Sequence, residues 1–320
     1  IRLMDLTLAI CVYNAERFIE KTLASVLKQS VSGFYLLIID DSSTDSSINI
    51  IKSFFISYHR QYELISFDKN KGICYGRHFA ERHAKTKYLM FLDADDILLP
   101  DAIKKMWDKI KSDQDLIAVG CHLDYIDEND KKIGGGLYLG ETTKDAFISK
   151  AAAGKLIFMQ PTAIYDREAS LRVGGYIIDG YPEGKPRYQD YCEDLDLWTR
   201  MSDLYTDGKA IVVIPETLCL YRKGGGLSSN SFNMILKMRY TKTNVRRRRA
   251  GMKDMTFLEY YSSLSDKTIL ELKNEASAAD NLRNGAILLK KGNAIKGAWL
   301  ILRSIIARPS YFLDKIKHNI

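Results

Sequence analysis

Nothing in this chain pairs its cysteines. Cys11, Cys74, Cys121, Cys192 and Cys219 are odd in number, none stands in a C-x-x-C spacing, and most lie among apolar residues. That argues against a disulfide framework and fits reduced thiols in a cytosolic protein. No run of about 18 apolar residues is present, so no segment of the sequence reads as a membrane span. No secretory leader is visible, and Met4 is read as the natural start behind Ile1 to Leu3. No G-x-G-x-x-G follows the first apolar strand, which disfavours a hydride-transferring dehydrogenase. The residues there, Tyr13-Asn14-Ala15-Glu16, also lack the glycines and cations of a nucleotidyltransferase loop.

Acidic residues are missing where cations gather. Residues 217–253 hold ten Lys/Arg and no Asp/Glu, and residues 281–320 hold eight Lys/Arg against Asp314 alone. These segments carry +10 and +7 of a net charge of +7, which leaves −10 for the remainder. An acidic body therefore carries a basic C-terminal portion. The run Arg246 to Arg249 keeps open a non-catalytic nucleic-acid-binding protein as an alternative class. The acids, however, cluster at strand ends where a cleft is expected, and the cations lie outside it, so no nucleic-acid partner is expected.

What is present is a globular chain of 320 residues, 46% hydrophobic, in which strand and helix signals alternate as in an α/β sheet. Strands are expected at residues 7–12, 35–39, 63–67 and 88–92, with helices over 15–27, after the Ser42-Ser43-Thr44-Asp45 cluster, through Arg77, and after Pro100-Asp101. The most informative stretch is Asp93-Ala94-Asp95-Asp96, directly behind the apolar run Tyr88-Leu89-Met90-Phe91-Leu92. Acids released at the C-terminal end of a buried strand stand where open α/β sheets bind ligands. Crowded carboxylates repel unless a cation joins them, and a hard cation that also grips phosphate oxygens is Mg2+ or Mn2+. A metal-bridged diphosphate is the expected ligand. A phospho-receiver domain would account for Asp40-Asp41 but not for the other acids.

Four ordered signatures resemble those of family 2 glycosyltransferases with the GT-A fold. They are Ala9-Ile10-Cys11-Val12-Tyr13-Asn14, Ile39-Asp40-Asp41-Ser42-Ser43-Thr44-Asp45, Phe91-Leu92-Asp93-Ala94-Asp95-Asp96 and Glu193-Asp194-Leu195-Asp196-Leu197-Trp198. The resemblance implies a Rossmann-like, mostly parallel mixed sheet flanked by helices. It also implies an inverting, metal-dependent enzyme of hexosyl- or N-acetylhexosaminyltransferase type, acting on a nucleotide-sugar and an acceptor hydroxyl.

By that resemblance Tyr13, Asn14, Glu16, Asp41, Arg77, Asp93, Arg222 and Lys223 bind the nucleotide-sugar, and Asp95 with Asp93 holds the metal. A strand-end Tyr13 can stack on a base, and Asp41 can accept the imide N–H that uracil has and cytosine lacks, so a UDP-sugar is expected. Asp194 is the expected base, with Glu193, Asp196 and Trp198 supporting it or shaping the acceptor side, where Gln160-Pro161-Thr162 also falls. Tyr221-Arg222 with Gly224-Gly225-Gly226 and Ser228 resembles the family's closing loop. Relatives often carry a His there; its absence passes the phosphate role to Arg222 or Lys223. Gly134-Gly135-Gly136 reads as a turn without a role.

Residues 1–232 are expected to form the catalytic domain and 233–320 a basic helical region. The segment Gly297-Ala298-Trp299-Leu300-Ile301-Leu302-Arg303-Ser304-Ile305-Ile306 is apolar with flanking cations and is expected to lie on an anionic membrane. The implied setting is bacterial surface-glycan assembly by a cytoplasmic, peripheral enzyme on the inner face of the membrane, with a glycan or lipid-linked glycan as acceptor.

Overall fold

A computed structural model describes residues 3–134, 140–224, 226–290 and 292–309. Strand β1 (Leu6–Val12) is followed by α1 (Ile19–Leu27), β2 (Tyr35–Asp40), α2 (Ser47–Tyr58), β3 (Glu63–Ser66) and α3 (Ile73–His83). Then come β4 (Tyr88–Asp93), β5 (Ile97–Leu98), α4 (Ala102–Lys111), β6 (Leu116–Ile126), α5 (Lys144–Ala152), β7 (Ile164–Asp166) and α6 (Arg167–Arg172). Helix α7 (Glu193–Met201) and β8 (Ala210–Arg222) close the sheet portion, and α8 (Ser231–Arg249), α9 (Phe257–Ser262), α10 (Asp266–Lys290) and α11 (Ala294–Ala307) follow among the described residues.

The strands form one mixed sheet in the order β3-β2-β1-β4-β7-β6-β8-β5. Strands β3, β2, β1 and β4 run parallel; β7 lies antiparallel between β4 and β6, and β8 is parallel to β6. Leu8, Ile10, Leu89, Met90 and Leu92 are buried on both faces of the central strands, as near-continuous apolar runs in a parallel sheet require. Register then places the acids: Asp40 pairs with Val12, and Asp93 pairs with Cys11, at one edge of the sheet. Helix α4 anchors the far side through Ile103, Met106 and Ile110 at helical spacing, all buried.

The 232/233 boundary expected from sequence falls at the start of α8, and that helix is packed into the body. Tyr188, Ile235, Leu236, Tyr240, Phe257 and Leu272 form a second apolar cluster that joins the segment before α7 to α8, α9 and α10. Lys237 is fully buried there and donates to Tyr181 Oη at 2.5 Å. The cationic run ending α8 is largely occupied: Arg248 pairs with Asp203 and, at 2.7 Å, with Asp254, and Arg249 reaches Asp203 at 2.9 Å. Cations held by carboxylates are a poor phosphate-backbone footprint.

Candidate active site

The ends of β1, β4 and β8 and the first turn of α7 enclose a cleft of about 700 Å3. Tyr13, Asn14, Arg77, Asp93, Asp95, Glu193, Asp194, Arg222 and Lys223 all line it, although Asp93 and Asp194 are a hundred residues apart in sequence. Of the residues singled out from sequence, Glu16, Asp41, Asp196 and Trp198 do not line it.

Two turns are laced together at the nucleotide end. Asn14 Oδ1 accepts from Thr44 N at 2.8 Å, Ser43 Oγ accepts from Asn14 N at 3.0 Å, and Glu16 carboxylate accepts from Ser46 N at 2.9 Å. Glu16 therefore braces the turn before α2 instead of facing the cleft. Asn14 does both, from a left-handed backbone with φ 50°. Helix α1 begins at Ile19, later than the periodicity suggested, because residues 15–18 form this braced turn.

Tyr13 stands half exposed at the cleft rim with its ring free to stack. Asp41 is buried, and its carboxylate accepts from Lys71 N at 2.6 Å, Gly72 N at 2.8 Å and Asn70 Nδ2 at 2.8 Å. It holds the loop ahead of α3 in place. Gly72 is required in that loop: its φ is +96°, and a Cβ there would lie 2.3 Å from Asp190 Oδ2.

Arg77 was expected to meet base or phosphate. Instead it is buried between carboxylates of two motifs, with Nη2 2.7 Å from Asp93 Oδ1 and Nη1 2.6 Å from Glu193 Oε1. Burial opposes its charge, but Asp93 and Glu193 more than offset this, so its pKa lies above the ordinary arginine value. Burial in turn pushes Glu193 up to about 8 against the pull of Arg77, with Asp194 adding to the rise.

Asp194 is raised by burial, with Arg77 pulling the other way. Its Oδ1 accepts from Leu195 N at 2.8 Å, at the start of α7. Among the described residues it has no ion pair, in contrast to Glu193. Asp95 likewise lacks an ion-pair partner there, and burial followed by the Asp93 charge pushes it up to about 6. Asp96 is a structural carboxylate: it is buried, accepts from Arg222 N at 2.8 Å, and is raised by burial and by its two acidic neighbours.

Arg222 is fully engaged: Nε donates to Asp95 O at 2.9 Å, Nη1 to Asp127 O at 2.6 Å and Nη2 to Asp130 at 2.6 Å. It clamps the turn after β6 onto the acidic loop, a role that leaves none of its nitrogens unpartnered for a phosphate. Lys223 is different. Its Nζ lies over the rings of Tyr125 at 4.3 Å and Tyr221 at 4.9 Å, and it has no carboxylate partner among the described residues. Burial, then Arg283, lowers its pKa. Gly225, Gly135 and Gly136 lie outside the described residues.

Asp196 and Trp198 belong to the core. Asp196 is buried on Arg200 at 2.9 Å and accepts from Thr241 of α8; burial raises its pKa, but Arg200 and Lys237 outweigh that and lower it. Trp198 is fully buried, donates to Met159 O at 3.1 Å and meets Tyr165 edge-on. The first residues of α7, 193 and 194, line the cleft, whereas 196 and 198, further along the helix, are buried in the body on Arg200 and against Tyr165, so the acidic motif is split between site and scaffold.

Sequence reasoning missed Asp190. It is buried at the cleft wall, accepts from Cys74 N at 3.0 Å and Arg187 Nε at 2.9 Å, and ties the start of α3 to the segment before α7. Its only signal was proximity to Glu193; Arg187 is a local partner, but Cys74 comes from distant sequence.

Residues 7–173, just over half of the chain, match the family described as Glycosyl transferase family 2. The chain belongs to that family. It is 25% identical over 231 residues to an uncharacterized glycosyltransferase of Haemophilus influenzae, covering 70% of this chain and 67% of that one. It is 25% identical over 189 residues to the putative glycosyltransferase EpsE of Bacillus subtilis, covering 59% and 63%. A 113-residue stretch, 35% of this chain, is 36% identical to a teichoic acid poly(glycerol phosphate) polymerase of Staphylococcus epidermidis but spans only 16% of it. Among solved structures, S. aureus TarS 1-349 in complex with UDP-GlcNAc superposes with a TM-score of 0.56 at 16% identity, covering 98% of this chain and 92% of that one. The Pyrobaculum calidifontis mannosyltransferase PcManGT, in complex with GDP-Man and Mn2+, gives 0.56 at 18%, covering 98% and 88%. These likenesses establish the GT-A fold, with a helical C-terminal part, for a family 2 glycosyltransferase domain.

Proposed function

We propose that this family 2 enzyme is an inverting, metal-dependent glycosyltransferase that moves a sugar from a UDP-sugar to an acceptor hydroxyl in bacterial surface-glycan synthesis. One observation carries the reading: Asp95 and Asp194, from motifs far apart in sequence and each without an ion-pair partner among the described residues, line one cleft of about 700 Å3 whose wall is tied together by Arg77.

Asp194 removes the proton from the acceptor hydroxyl as its oxygen attacks the anomeric carbon opposite the departing diphosphate, which inverts that carbon. Burial, which raises its pKa, strengthens it as a base. Arg77 holds Glu193 beside it and leaves the Asp194 carboxylate unpaired. Lys223 supplies positive charge for the diphosphate, and Tyr13 a ring for the base. The donor set fits a hard divalent cation: Asp95 has no ion-pair partner among the described residues, Asp93 has one oxygen on Arg77, and such ions need only one or two carboxylates beside phosphate oxygens and water. Asp93 and Asp95 are the residues that would hold Mn2+ or Mg2+. When bound, that ion neutralises charge growing on the departing nucleoside diphosphate.

The donor and setting are supported by similarity: TarS was solved with UDP-GlcNAc, PcManGT with GDP-Man and Mn2+, and one relative is a teichoic acid poly(glycerol phosphate) polymerase. The test is a thermal-shift screen of nucleotide-sugars with and without Mn2+, followed by transfer assays. A shift specific to UDP-sugars that requires the cation is expected. Stabilisation by GDP- or CMP-sugars alone would reassign the base.

A further inference from the structure

Helix α11 turns its small and polar residues inward. Gly297, Ile301, Ser304 and Arg308 face α10: a Cβ on Gly297 would stand 3.0 Å from the Gly285 carbonyl oxygen, Ser304 Oγ donates to Ala278 O at 2.7 Å, and Arg308 reaches Glu275 at 2.7 Å. The outward stripe, at helical spacing, is Ile295, Trp299, Leu302 and Ile306, exposed by 86, 55, 52 and 71%. Of Trp299, Leu300, Ile301 and Ile305, the side chains of that segment expected from sequence to enter the membrane, only Trp299 belongs to the stripe, because Ile301 packs at the α10 crossing and Leu300 and Ile305 are half-buried. Large apolar side chains in such a row mark an interaction surface.

Charge along the segment that carries the stripe has one sign. Residues 281–309 contain six Lys/Arg and no Asp/Glu. Lys296 and Arg303 have no carboxylate partner among the described residues, and the Arg303 guanidinium lies 4.8 Å from the Trp299 ring centroid.

We propose that this stripe docks on an anionic lipid bilayer, with α11 lying in the plane of the interface. Ile295, Trp299, Leu302 and Ile306 enter the headgroup and acyl boundary while Lys296 and Arg303 meet lipid phosphates. A second copy is the poorer occupant, because an isologous contact would press two cationic segments together. No helix among the described residues is long and apolar enough to cross a membrane, and this docking requires none. The hairpin also touches the cleft: Arg283 Nη2 donates to Ser229 O at 3.1 Å, next to Leu227 and Ser228 of the cleft lining. Docking therefore sets the cleft beside the lipid surface, independently of which sugar is transferred.

The test is co-sedimentation of the full chain with phosphatidylglycerol–phosphatidylcholine vesicles and with phosphatidylcholine alone. Trp299→Gln/Ile306→Gln and Lys296→Gln/Arg303→Gln are compared with the parent, and thermal melts confirm that both variants are folded. The parent pellets with anionic vesicles only, added salt weakens this, and each double variant lowers partitioning roughly tenfold or more. Equal pelleting of parent and variants overturns the proposal. So does a concentration-dependent dimer, seen by sedimentation velocity without lipid and abolished by Trp299→Gln/Ile306→Gln, which would assign the stripe to a second copy.

Discussion

Arg77 Nη1 lies 2.6 Å from Glu193 Oε1, joining a helix near the start of the chain to the acidic motif 116 residues later. The same guanidinium holds Asp93, so a single cation ties the acidic strand end to the first turn of α7. The pair is buried, and its value is that of a charge whose removal strands two others.

Replacing that cation is expected to be expensive. Arg77→Met leaves half-buried Asp93 and Glu193 without their shared cation and should destabilise the fold by up to roughly 3–5 kcal/mol. Urea unfolding measures this. A loss below about 1 kcal/mol, the range of exposed pairs, would show that solvent reaches the cluster.

Asp194→Asn keeps shape and removes basicity. Transfer should drop by about 10²–10⁴-fold, while UDP binding by calorimetry changes little because the proposed role of Asp194 is toward the acceptor hydroxyl and the amide keeps the shape of the side chain. Near-normal transfer by the variant would move the base to Glu193. Asp196 is no longer a candidate, since it is buried on Arg200 away from the cleft.

Asp95 sets a pH signature. Its folded pKa of about 6 lies above the ordinary 3.8, so protonation stabilises the native state. That contribution is complete below about pH 4 and is lost as pH rises through about 6. Without divalent cation, Asp95→Asn should match the parent near pH 4 and exceed it above pH 7 by up to roughly 3 kcal/mol. With Mn2+ and UDP the order should reverse, because the amide is a poorer ligand than the carboxylate. Denaturation at several pH values checks both arms, and parallel curves for the two proteins would refute the assignment.

Helix α8 is expected to belong to the catalytic unit. A chain ending at residue 232 loses the cover on Tyr188 and the Thr241 contact to Asp196, so it should melt non-cooperatively or aggregate. A chain ending at 292 loses only α11 of the described helices and should keep a cooperative transition. Circular dichroism melts and limited proteolysis distinguish the two. A stable 1–232 fragment would restore the earlier boundary.

The first four strands with the helices that follow them, the acidic ends of those strands and the family were legible in the sequence. Apolar runs ending in acids are local patterns, and a buried strand announces itself by composition alone. The roles of individual polar residues were legible only in part. Asp93, Asp95, Glu193 and Asp194 carry the same charge as Asp96 and Asp196, and nothing in the one-dimensional pattern separates those that face the cleft from those buried on Arg222 or Arg200. Depth along the helix and long-range partners make that division: only the first residues of α7 reach the cleft while Trp198 is buried in the core, Arg77 finds acids 16 and 116 residues away, and Asp190 matters because Gly72 lies against it. Composition likewise announced an apolar, basic tail. Which of its side chains face outward was decided by the Gly285–Gly297 crossing, where two glycines let α10 and α11 approach closely enough to set the rotation of α11.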